Sequence, residues 1–72
     1  MSIFSDRLKE QRKAKGITQK AMAQHLGILD TSYQHYEYDL REPNHEMTVK
    51  IADILDVSTD YLLGRSDNPG RL

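Results

Sequence analysis

Three histidines stand at positions 25, 35 and 45 of a 72-residue chain, and imidazole is the commonest metal ligand among side chains. They fall on three different helices or helix ends, without the paired spacing a metal site requires, so surface histidines and no metal are expected. The chain contains no cysteine, which removes thiolate nucleophiles, disulfides and Cys-based zinc sites. No paired carboxylates share a readable cleft, no glycine-rich phosphate loop follows a strand, and no nucleophile has a base at readable spacing. Neither an enzyme nor a cofactor is expected. What is left is charge and hydrogen bonding, and these are unevenly placed. Residues 1–20 carry a charge of +4, residues 21–40 carry −3 and residues 41–72 carry −2. The net charge of −1 hides one basic pole.

The elements that must position these groups are legible from their punctuation. Ser2 or Ser5 can cap a first helix in which Phe4 and Leu8 share a face. Gly16 supplies its left-handed end. Thr18 opens a second helix over 19–25, with Met22 and Leu26 one turn apart, and Gly27 closes it. A third helix runs from about Asp30 to Tyr38. Glu42-Pro43 forces an extended link, Asn44 caps a fourth helix carrying Met47, Ile51, Ile54 and Leu55, and Ser58 caps a short fifth. No two-residue period of strand length appears. The fold expected is all-α: five short helices in one domain over residues 1–64, with 65–72 a polar tail or the start of a linker. No apolar run approaches the ~20 residues of a membrane helix, and no signal-peptide core precedes the domain. A cytoplasmic, membrane-free protein is expected.

Two helices joined by a short glycine-containing turn make a helix-turn-helix unit. The segment 19–38 meets its steric demands. Ala23 is small where the helices cross, and Gly27 sits where the turn needs a positive φ. Met22, Leu26, Ile28, Tyr33 and Tyr36 fall at inward positions.

With these pieces in place the chain resembles the Cro/CI-type (Xre-type) helix-turn-helix repressors of phages and bacteria, whose domain is lambda-repressor-like. The likeness runs from residue 3 to about 69. It rests on Phe4-Ser5-Asp6-Arg7-Leu8-Lys9, Gly16-Ile17-Thr18-Gln19, Leu26-Gly27-Ile28, Tyr36-Glu37, Arg41-Glu42-Pro43, Ile51-Ala52-Asp53 and Asp60-Tyr61-Leu62-Leu63-Gly64. The resemblance implies a structural ion pair between Arg12 and Glu37. It implies that Gln19, with Thr18 and Lys20 beside it, meets a DNA phosphate at the start of the second helix. The third helix would then lie in the major groove. Asp30, Thr31, Gln34 and His35 would project outward, Ser32 and Tyr38 would sit close to the backbone, and Arg41 would supply a phosphate cation.

The chain also departs from the family. Leu29 stands where a Ser or Thr cap is usual, which passes the cap to Asp30; an outward Asp30 would instead accept from cytosine N4. Tyr33 replaces a branched aliphatic, so either the core is wider there or the phenol reaches the surface. Asp39 and Leu40 replace a common Gly-Lys and remove positive charge. The function expected is a transcriptional repressor that binds a palindromic double-stranded DNA operator as a homodimer. Val57, Leu62, Leu63 and Leu72 are the candidates for its dimer surface. The alternative is a protein-interaction module on the same fold, with exposed Tyr33, Tyr38 and Leu40 as its surface, or a DNA face captured by an antirepressor protein.

Overall fold

The computed structural model describes residues 2–71 and contains five helices: α1 (Ile3–Ala14), α2 (Gln19–Leu26), α3 (Asp30–Glu37), α4 (His45–Leu55) and α5 (Thr59–Leu62). Side-chain caps set most of their starts. Ser2 and Ser5 act together in a capping box, each hydroxyl accepting from the other's backbone N–H. Thr18 Oγ1 accepts from Ala21 N–H, Asn44 Oδ1 from Met47 N–H and Ser58 Oγ from Tyr61 N–H. Such caps occupy donors that the first helical turn leaves unpaired. Gly27 ends α2 at φ +70°, a conformation glycine adopts without a Cβ penalty.

The start of α3 differs from expectation. Leu29, not Asp30, is its N-cap, and Leu29 has no side-chain acceptor to offer. Asp30 is already the first helical residue, so its carboxylate is not the cap. Leu29 is 74% exposed and contributes little packing there. Leu29→Ser is therefore expected to stabilise the domain by about 1 kcal/mol, read as a higher urea midpoint by circular dichroism. An unchanged midpoint would mean the N-terminus of α3 is satisfied in another way. The far end carries a second departure: Asp39 lies at φ +60°, a left-handed conformation that aspartate tolerates better than most residues.

The core is one cluster of Leu8, Met22, Ala23, Leu26, Tyr33, Ile51, Ala52, Leu55, Val57 and Leu62. Helix α2 packs chiefly on α3, α1 braces α3 and α5, and α4 closes against α2 and α5. This settles part of the expected dimer surface. Val57 and Leu62 are 2% and 0% exposed; they finish the core and offer nothing to a second copy. Leu63, at 56%, is exposed, and Leu72 lies outside the described residues. Tyr33 is also in the core, so it is not part of an exposed protein-binding surface.

Residues 65–71 do not run free as a tail. Arg7 donates through Nη1 to the carbonyls of Tyr61 (2.5 Å) and Ser66 (2.7 Å), and through Nη2 to Asp67 (2.9 Å). Its guanidinium also lies 4.1 Å from the centre of the Tyr61 ring. Ser58 N–H donates to the Pro69 carbonyl, and Arg71 reaches Asp53 at 2.7 Å. One cation of the basic pole is thereby taken up in holding this segment.

Candidate nucleic-acid interface

The inner side of α3 is fixed before its outer side can act. Tyr33 and Glu37, one turn apart, both point inward and are fully buried. Glu37 receives four hydrogen bonds from three side chains on α1, α2 and α3. Arg12 Nε donates to Oε2 at 2.5 Å and Arg12 Nη2 to Oε1 at 3.2 Å. Tyr33 Oη donates to Oε2 at 2.5 Å, and Gln19 Nε2 donates to Oε1 at 3.0 Å. Arg12 also donates to the Ile17 carbonyl at 2.8 Å, which ties the end of α1 to the turn before α2.

The electrostatics follow from this crowding. Burial alone would raise the Glu37 carboxyl, but hydrogen bonds from Arg12, Tyr33 and Gln19 outweigh it and hold the group below the usual carboxylate range. The hydrogen bond to Glu37 raises the Arg12 guanidinium despite its burial. Burial, reinforced by the adjacent Glu37 charge, pushes the Tyr33 phenol far above the ordinary range. Glu37 is therefore an anion and Tyr33 a neutral donor at physiological pH. The phenol is housed in the core, the first of the two alternatives that the sequence left open.

On the outer side of α3, Asp30, Thr31, His35 and Tyr38 are exposed, while Ser32 and Gln34 are half-buried. Thr31 and His35 are one turn apart and share that side. Thr18 and Lys20 are exposed at the start of α2, with Gln19 half-buried between them. Arg41 is exposed just beyond α3, where Leu40 and Arg41 N–H both donate to the His35 carbonyl. Lys13, Lys15, Lys20 and Arg41 form no ion pair among the described residues. The arrangement offers one short helix with a polar outer side, packed against α2 and followed by the exposed cation Arg41.

Two participants escaped the sequence reading. Tyr33 joins the Arg12–Glu37 pair, and Gln19 donates inward to Glu37. The i, i+4 spacing of Tyr33 and Glu37 was the available signal for the first. Among the described residues no group of His, Cys, Asp and Glu could hold a metal ion, and none of the described helices is long and apolar enough to cross a membrane.

Comparison with known proteins agrees with this geometry. A helix-turn-helix domain model matches residues 6–67. The chain belongs to this helix-turn-helix family, whose members among its relatives are transcriptional regulators rather than enzymes. The HTH-type regulator YqaE of Bacillus subtilis is 47% identical over 66 residues, 92% of this chain and 57% of that protein. The CTXphi transcriptional repressor RstR of Vibrio cholerae is 50% identical over 62 residues, 86% of this chain and 55% of that one. The chain thus spans little more than half the length of these relatives. Among solved structures it is similar to the P22 c2 repressor in complex with a synthetic operator, at a TM-score of 0.82 and 27% identity. That match covers 92% of this chain and all of the other. The fold is therefore that of a phage-repressor type of DNA-binding domain.

Proposed function

We propose that this chain is the operator-binding part of a transcriptional repressor that grips an inverted repeat as a dimer, with α3 in the major groove. The observation that carries this reading is the division of α3: Tyr33 and Glu37 are locked inside, and the polar side bearing Asp30, Thr31 and His35 is left unpartnered. Residues at the start of such a helix reach base edges. Thr31 and His35 read there, and Asp30, freed from capping, accepts from a cytosine N4 amine. Gln34 adds an outward amide. Ser32 and Tyr38 lie along the sugar-phosphate backbone. Thr18, Gln19, Lys20 and Arg41 meet phosphates, with Gln19 and Lys20 beside the N-terminus of α2.

A dimer places its two α3 helices one helical turn apart, about 34 Å. Among the described apolar residues foreseen for the dimer surface, Leu63 is the exposed one, and Leu63→Asp should weaken binding to the full repeat while leaving the fold intact. Selection from a random duplex library tests the reading. An enriched inverted repeat with half-sites one turn apart supports it, and no enrichment over non-specific binding opposes it.

Few cations flank α3, so the salt dependence should be shallow, with each neutralised phosphate adding about −0.9 to the slope of log K against log salt. Arg41→Gln is expected to flatten that slope by about one unit, measured by fluorescence anisotropy across a salt series. An unchanged slope would remove Arg41 from the phosphate contacts. A second reading has its own observation: Tyr38 and Leu40 are exposed apolar residues beside Asp39. That surface suits an antirepressor that competes with DNA for the end of α3, through contacts that salt weakens little.

A further inference from the structure

The buried carboxylate of Glu37 is shared unequally. Its Oε2 carries two short hydrogen bonds, from Arg12 Nε and Tyr33 Oη, both at 2.5 Å. Its Oε1 carries two longer ones, from Arg12 Nη2 at 3.2 Å and Gln19 Nε2 at 3.0 Å. A guanidinium and a carboxylate left to themselves form two parallel bonds of similar length. Here the bonds are unequal, and the shorter one falls on the oxygen that also accepts from the Tyr33 hydroxyl. The other oxygen, Oε1, is the one that receives Gln19. Gln19 is the first residue of α2, directly after the Thr18 cap, and its second Nε2 hydrogen has no partner among the described residues.

We propose that Tyr33, although wholly buried, is a positioning residue for the phosphate grip of α2. Its hydroxyl sets the plane of Glu37, Glu37 holds one hydrogen of the Gln19 amide, and the other hydrogen is held ready for a phosphate oxygen. Removing the hydroxyl lets the Arg12 fork close on Oε1 and releases Gln19. The last link, from Gln19 to phosphate, rests on the operator-binding reading; the links from Tyr33 to Gln19 stand in the free protein.

Two measurements on Tyr33→Phe separate these parts. The first is the side-chain amide spectrum of Gln19 in the free, 15N-labelled protein. Its resonances should move toward those of an exposed glutamine in the variant, and unchanged resonances would overturn the proposal whatever the DNA result. Should the variant not fold, Gln19→Ala provides the reciprocal test: the hydroxyl proton of Tyr33 should shift, because both groups donate to the same carboxylate, and a stationary signal would overturn the proposal. The second measurement is affinity for a selected operator duplex in two backgrounds. Tyr33→Phe should weaken binding roughly threefold to tenfold with Gln19 present and leave it unchanged in Gln19→Ala. Equal losses in both backgrounds would show that Tyr33 acts through general stability, not through Gln19. A wild-type chain that selects no duplex would count against the operator-binding reading alone, since the amide spectrum still decides the role of Tyr33.

Discussion

Arg12→Met is expected to destabilise the domain by about 3–5 kcal/mol, the cost of leaving a buried charge without its counter-ion. Glu37 is completely shielded from solvent, and only Tyr33 and Gln19, both neutral donors, would remain on it. The Ile17 carbonyl would lose its guanidinium donor as well. A domain of this size has a total stability of about 4–11 kcal/mol, so the variant should be partly unfolded near 37 °C. Urea denaturation followed by circular dichroism measures the loss. Adding Glu37→Gln to Arg12→Met should recover part of it, because the amide removes the stranded charge and still accepts from the Tyr33 hydroxyl. A single variant that loses less than about 1 kcal/mol would show that the pair contributes no more than a surface salt bridge.

Stability should also fall at both ends of the pH scale, for opposite reasons. Glu37 is held below its ordinary value of 4.5, so the folded state binds that proton more weakly than the unfolded chain. Its contribution is present above about pH 4.5 and is lost as the pH falls through the folded value. Tyr33 is raised above its ordinary value of 10.0, so the folded state keeps its proton more tightly. That contribution is complete below about pH 10 and declines as the pH rises further. Urea midpoints measured from about pH 3 to 11 should therefore form a plateau with two falling limbs. Tyr33→Phe should flatten the alkaline limb and move the acid limb to higher pH, because it removes one of the hydrogen bonds that hold Glu37 down. An alkaline limb of unchanged steepness in the variant would contradict the burial of the phenol against an anion.

The boundary signals that could be read from the chain are local ones. Thr18, Asn44 and Ser58 hydrogen-bond within their own helical turns, and Gly16 and Gly27 adopt the positive φ that only the adjacent turn requires. Features that depend on distant partners were legible only through the resemblance, as with Arg12 and Glu37, or not at all. The Tyr33 hydroxyl meets Glu37 one turn on in the same helix, but the sharing of Glu37 with Arg12 and Gln19 is set by how α1, α2 and α3 meet. Val57 and Leu63 lie outside the four-residue α5 and Leu62 at its end, so no helical period was there to sort them into core and surface. The polar composition of residues 65–71 reads as a tail, yet it is tied to Arg7, some sixty positions earlier. Aspartate is a favoured cap, but the turn after Gly27 brings Leu29 to that position and leaves Asp30 inside the helix. The outer side of α3 and the Arg12–Glu37 pair beneath it were both implied by the family resemblance, whereas the hydrogen bonds that Tyr33 and Gln19 add to Glu37 were not.

Methylation interference on a selected duplex shows whether the outer side of α3 reads base edges from the major groove. Dimethyl sulfate marks guanine N7 in the major groove and adenine N3 in the minor groove. Interference at guanine N7 in two blocks one helical turn apart is the result predicted. Interference confined to adenine N3, or spread evenly along the duplex, would place some other surface of the protein on DNA.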